Sequence, residues 1–273
     1  MSTTSAFQIF SSLRYDPALP AETEQPATAY PDPRESPYYL LQYHRDRLLN
    51  AAREFRWDQA IEFLQQDAGP LARLLDTHIP DTSKAWRLRI VVDCNGVCVV
   101  EVHPTAPMPP SNLLVPIPSL PHRLSSPDDI WRVYVDSAST VPSEFTTHKT
   151  TARDGYTAAR QRTGIDSPAE LAEVLMVNPE GEIMEGSITT PYFLARNSGS
   201  GQESEVGLTP RWITPPLASG GNAGTTRRYA LKNGFCTEHR ILASELVDGE
   251  PCWLSNGVRG FLQGVIVLKD HHK

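Results

Sequence analysis

The sequence predicts an α+β protein of two domains, and three observations carry that expectation. A chain of 273 residues suits one large domain or two modest ones and can bury a sizeable core. Strand-like hairpins recur in both halves, at residues 86–102 around Asn95-Gly96 and at residues 170–193 around Pro179-Glu180-Gly181. Between them the polar, small-residue stretch 138–147 reads as an interdomain loop, which separates residues 1–137 from residues 148–273.

The elements follow in order. Residues 7–15 alternate as a strand. Residues 16–37, rich in Pro, Glu, Thr and Ala, read as a loop. Residues 38–55 are a helix, because Leu41, Arg45, Leu48, Ala52 and Phe55 recur every three or four positions. Residues 60–75 hold one or two more helices, with the break expected at Gly69-Pro70. After the first hairpin, the prolines of 104–128 predict extended or irregular chain, and residues 131–136 a β segment. A helix runs from the segment after Lys149 to about Gly164. Strand 174–178 pairs with one long strand over 182–193, and the Gly/Ser-rich residues 197–204 form a hairpin tip. Residues 211–217 continue the β pattern, Gly234 ends a short helix begun at Thr225, and two short strands close the chain.

Composition excludes several function classes. A net charge of -7 argues against nucleic acid as a partner. No apolar run approaches the ~20 residues that span a bilayer. The N-terminus lacks a basic region followed by an apolar core, so a cytoplasmic protein is expected. Cys94, Cys98, Cys236 and Cys252 form no zinc-type pair and read as reduced thiols, with no metal site.

Three segments carry chemistry. Lys149 lies among Thr146, Thr147, Thr150 and Thr151, with Glu144 the nearest acid on its N-terminal side. Residues 220–226 are a glycine-rich turn opening a helix, where free N–H groups and the helix dipole attract a phosphate, although no Walker pattern follows. Glu185 shares a strand face with Ile183, and an inward carboxylate needs a partner such as a protonated ring nitrogen. A lysine for a Schiff base, a carboxylate for a pyridinium nitrogen and a phosphate cup together are what pyridoxal 5′-phosphate requires.

The order His44-x-x-Arg47-Leu48, Lys149, Glu185-Gly186-Ser187, Gly224-Thr225-Thr226-Arg227, Ser255-Asn256-Gly257 resembles the fold-type-IV pyridoxal-phosphate enzymes, the class IV aminotransferases and aminodeoxychorismate lyases. The resemblance runs from about Phe7 to Leu268. It implies a D-amino acid aminotransferase-like fold, with a small N-terminal α/β domain and a larger C-terminal mixed domain, and a homodimer. By that resemblance Lys149 carries the cofactor, Glu185 pairs with its ring nitrogen and Arg47 binds its phosphate. Thr225 and Thr226 complete the phosphate cup, and Asn256 is the side-chain donor of the loop that closes it. Tyr156 would reach the cofactor's phenolic oxygen, though it lies further from the lysine than the tyrosine of branched-chain enzymes. Thr190 stands where the family usually has Asn.

The string His148-Lys149-Thr150-Thr151-x-Arg153-x-x-Tyr156, with Arg14-Tyr15 early in the chain, looks most like the aminodeoxychorismate lyase branch of fungi. That branch implies cleavage of 4-amino-4-deoxychorismate to 4-aminobenzoate and pyruvate on the folate route. Lys149, freed by the substrate amine, would take the proton from the carbon bearing nitrogen. Arg14, Arg89 and Arg153 are the expected partners of the dianionic substrate. An aminotransferase acting on a branched-chain or D-amino acid or an amine would share every cofactor residue. A scaffold without activity would have no need to retain Lys149, Glu185 and Arg47 together.

Overall fold

The computed structural model describes residues 7–19, 36–116, 129–167, 169–195 and 212–268. Two sheets organise them. Strands β1 (Ile9–Tyr15), β2 (Trp86–Val92) and β3 (Cys98–Pro104) form an antiparallel sheet in that order. Between β1 and β2 the chain makes helices α1 (Leu41–Glu54), α2 (Asp58–Leu64) and α3 (Ala68–Asp76). Their apolar faces and the sheet enclose Leu13, Leu48, Ala52, Leu64, Leu75, Leu88 and Ile90. Alternation along β2 buries Leu88 and Ile90 completely and leaves Arg87 and Arg89 on the other face. The expected break at Gly69-Pro70 falls earlier, at residues 65–67. Asp67 caps α3 by accepting the Gly69 N–H at 2.8 Å, and Pro70 lies in the first turn, where a missing N–H leaves no bond unmade.

The second sheet has eight strands. They are β4 (Trp131–Ser139), β5 (Ala172–Val177), β6 (Ile183–Gly186), β7 (Thr190–Leu194), β8 (Trp212–Thr214), β9 (Cys236–Glu238), β10 (Pro251–Asn256) and β11 (Gly260–Ile266). Their order is β6-β5-β4-β11-β10-β7-β8-β9. Because β4 pairs in parallel with both β5 and β11, the two sheets divide ahead of Trp131 rather than within the polar stretch 138–147. That stretch instead contains the end of β4 and the start of α4 (Glu144–Thr147). Helix α5 (Asp154–Thr163) packs on β4 and β5, and α6 (Thr225–Lys232) on β10 and β9.

The single strand expected over 182–193 is two strands in different places: β6 pairs with β5, and β7 pairs with β10. The cause is a buried carboxylate. Glu173, fully enclosed on β5, accepts the Ser187 N–H (3.0 Å) and hydroxyl (2.5 Å), the Ile188 N–H (3.1 Å) and the Thr189 hydroxyl (2.7 Å), which curls the chain between β6 and β7 around it. The hairpin tip at 197–204 and most of the loop at 16–37 lie outside the described residues. None of the four cysteines is in a disulfide. Among the described residues no helix is long and apolar enough to cross a membrane, and no group of three His, Cys, Asp or Glu is placed to hold a metal ion.

Candidate active site

Lys149 does not lie in a loose connection. A capping box at Ser143 starts α4, His148 ends it, and the chain then extends along β1. Phe10 donates its N–H to the Lys149 carbonyl (2.9 Å), and Thr151 donates to Gln8 (2.8 Å). The Thr146 hydroxyl, at 2.7 Å from the Gly220 carbonyl, ties the same segment to the glycine-rich turn. The lysine is thereby fixed where the two sheets meet. Its ammonium stands 5.3 Å from the centre of the Phe10 ring, which also carries Arg89 at 4.6 Å.

A cavity of about 1030 Å³ opens there, lined by Phe10, Arg14 and Arg89 from the smaller sheet, by Glu185, Thr190 and Ser255 from the larger, and by Lys149 from the segment after α4. Arg47, Arg153, Thr225, Thr226 and Asn256 also line it, so every predicted site residue except Tyr156 lines this one cavity. Lys149, Arg47 and Glu185 are each half-buried, walled by protein and open to the cavity. Burial, then Arg153 and Arg47, holds the Lys149 ammonium well below the ordinary lysine range, against the pull of Glu185 and Glu173. Burial raises the Glu185 carboxyl; a bond from Tyr156 and the charges of Lys149 and Arg153 oppose that.

At one end of the cavity, polar groups have no partner within the protein. Arg47 Nε and Thr225 Oγ1 are buried and unbonded, and burial lowers the Arg47 guanidinium to about 10. Helix α6 begins at Gly224 without a side-chain cap, so its first N–H groups are free. A side chain at Gly224 would meet Thr190 Oγ1 at 2.8 Å and Arg47 Nη2 at 3.7 Å, so only glycine lets the helix start come this close. Thr226 accepts a bond from Ser255 (2.8 Å), which is itself held by Tyr192 (2.7 Å). This donor set fits a phosphate dianion. Asn256 spends its side-chain oxygen on the N–H groups of Val258 (3.0 Å) and Arg259 (2.8 Å), which leaves its amide nitrogen as the donor.

The remaining residues are placed less simply. Tyr156, expected at the cofactor's phenolic oxygen, has a different partner: its hydroxyl donates to Glu185 Oε1 at 2.5 Å. Arg14 lines the cavity, but its guanidinium is committed to Asp16 (2.7 Å) and to the Ala106 carbonyl (3.2 Å). Arg89 pairs with Glu101 at 2.5 Å. Arg153 donates to the Ser187 carbonyl and stacks on the Tyr156 ring. Sequence reasoning passed over Arg87 and Arg259, which line the same cavity, and Glu173 beneath its wall. The signal for Glu173 was present: one charge inside a strand otherwise made of apolar residues.

The chain's sequence and fold have counterparts among known proteins. The sequence model described as amino-transferase class IV matches residues 33–265. An aminodeoxychorismate lyase of Saccharomyces cerevisiae is 34% identical over 149 residues, which is 51% of this chain and 38% of that protein. The chain therefore aligns with well under two thirds of that relative's length. A candidate amino-acid aminotransferase of Mesorhizobium loti has the same fold, with a TM-score of 0.66 at 21% identity over 96% of this chain and 100% of the other. So has the 4-amino-4-deoxychorismate lyase of Pseudomonas aeruginosa, with a TM-score of 0.57 at 17% identity over 97% of this chain and 84% of the other. By its sequence and its fold, the chain belongs to the class IV aminotransferase family of fold-type-IV, pyridoxal-phosphate-dependent enzymes.

Proposed function

We propose that this enzyme is a lyase that converts 4-amino-4-deoxychorismate to 4-aminobenzoate and pyruvate. The observation that carries the proposal is the charge of the cavity wall, in which Arg87, Arg89, Arg153 and Arg259 outnumber Glu185 and Asp129. A substrate with two carboxylates suits such a wall better than an amino acid with one. The yeast relative supports the same choice.

The roles follow from the residues. Arg47, the start of α6, Thr225, Thr226 and Asn256 would hold the cofactor's phosphate, Lys149 its aldehyde carbon and Glu185 its ring nitrogen. When bound, the cofactor supplies an electron sink for the carbon bearing the substrate's amino group. Lys149, kept toward its neutral amine by burial and two arginines, takes the proton from that carbon. The bond from the ring to the enolpyruvyl oxygen breaks, the electron pair leaves with enolpyruvate, and the ring becomes aromatic. Enolpyruvate takes up the proton that Lys149 holds and becomes pyruvate, which returns the lysine to its neutral amine. No co-substrate enters this balance.

The test is stoichiometry. Supplied with aminodeoxychorismate and neither amino donor nor keto acid, the enzyme should release 4-aminobenzoate and pyruvate over many turnovers. At most one turnover, with rapid exchange between an amino acid or amine and a keto acid, would identify an aminotransferase acting on a branched-chain or D-amino acid or an amine. The same reading makes the enzyme a cytoplasmic homodimer; a fully active monomer in light scattering at micromolar concentration would refute the dimer.

A further inference from the structure

We infer that Tyr156 is a positioning residue for Glu185 rather than a ligand of the cofactor, and that its hydroxyl orients this carboxylate and keeps it ionised. The inference rests on the proposed cofactor site. Tyr156 sits in the first turn of α5 and is only 7% exposed. Its hydroxyl lies 2.5 Å from Glu185 Oε1 and 3.5 Å from the Thr146 carbonyl. The shorter distance is that of a charge-assisted O–H···O⁻ bond. A phenol has one proton, and this one is spent on Glu185. Lys149, Arg153 and Glu185 all face the cavity, whereas Tyr156 does not reach its wall.

A second contact strengthens the donor. The Arg153 guanidinium lies 4.0 Å from the centre of the Tyr156 ring and is held there by the Ser187 carbonyl. A cation over the ring face polarises the phenol toward donation. Arg153 precedes α5 and Tyr156 is its third residue, a spacing that lets the two side chains meet. The groups that face Glu185 are Tyr156 from α5, Arg153 and Lys149 from the segment before it, Arg47 from α1 and the backbone N–H of Asn222. Burial pushes the carboxyl up, and the Tyr156 bond is the first of the groups pulling it down. Without that bond, burial should gain on the remaining charges.

The experiment is a pH titration of the Glu185 side-chain carbon by NMR in the full-length, cofactor-free protein, assigned with Glu185→Gln. In Tyr156→Phe the titration should move upward by about one to two pH units, the worth of one hydrogen bond to a charged group. An unmoved Glu185 would overturn the inference. If, with Glu185 unmoved, the visible absorption of the loaded Tyr156→Phe enzyme titrated differently, the hydroxyl would belong to the cofactor instead. Should the Phe variant fail to fold, Glu185→Gln serves: the Tyr156 Cζ resonance should follow the Glu185 titration in the wild type and stay fixed in that variant, and no pH response in the wild type overturns the inference. Failure of the protein to take up pyridoxal phosphate would overturn the cofactor reading alone, because neither titration needs the cofactor.

Discussion

The two ends of the cavity are built on opposite rules. At the end formed by α1 and α6, strong donors are buried without partners: Arg47 Nε, Thr225 Oγ1 and the uncapped first turn of α6. At the end formed by β1, β2 and the start of α5, cations already have partners: Arg14 on Asp16, Arg89 on Glu101, Arg153 on the Ser187 carbonyl. Unmet buried donors cost free energy until a ligand meets them, so they belong where a ligand stays bound. Paired cations keep that end stable between encounters and must exchange partners when an anion arrives. Under the proposed function, the first end suits a resident phosphate and the second a passing substrate.

Breaking the cofactor end should have the largest effects. Lys149→Ala removes the group that moves the proton, and turnover should fall by at least ~10²–10⁴-fold in steady-state assays. The cofactor band reducible by borohydride should vanish as well; its retention on another lysine would refute the assignment. Arg47→Ala leaves the phosphate without its guanidinium, and cofactor affinity, measured by equilibrium dialysis, should weaken by roughly 10–100-fold. Unchanged affinity would remove Arg47 from the cup.

Breaking the open end should cost less. Arg89→Gln releases Glu101 as well as a cavity cation. Its KM for aminodeoxychorismate should rise by about 5–10-fold with kcat nearly unchanged, the mark of an interaction made equally in ground and transition states. Equal losses in kcat would instead place Arg89 in the chemistry.

The smallest effect concerns the wall behind the phosphate cup. His44 is fully buried; its Nδ1 lies 2.7 Å from the Ser11 hydroxyl, and burial, then Arg47, Lys149 and Arg228, hold its imidazolium well below the ordinary histidine range. The unfolded chain then binds a proton that the folded chain refuses. Stability should be complete above about pH 6.5 and decline as pH falls below it. Melting temperatures of wild type and His44→Gln between pH 7 and 5 should therefore converge; parallel curves would refute a neutral His44.

Much of this was written in local pattern. The 3.6-residue period of α1 and the alternation of β2 follow from residue type alone, because one face must meet a core. Gly96 at φ +75° and Gly234 at φ +67° end elements where the sequence places a turn, since few other residues adopt that backbone. The order of Arg47, Lys149, Glu185, Thr225 and Asn256 was legible as well, and the fold gathers these five around one cavity. Tertiary structure decided what depends on distant partners. It placed β4 in the middle of the larger sheet, split the chain between β6 and β7 around Glu173, and paired Arg14 with Asp16 inside the wall. It also brought the Tyr156 hydroxyl to Glu185. Spacing along the chain sets which face a side chain occupies, but a hydroxyl or guanidinium bonds to whichever buried partner the packing brings within ~3 Å.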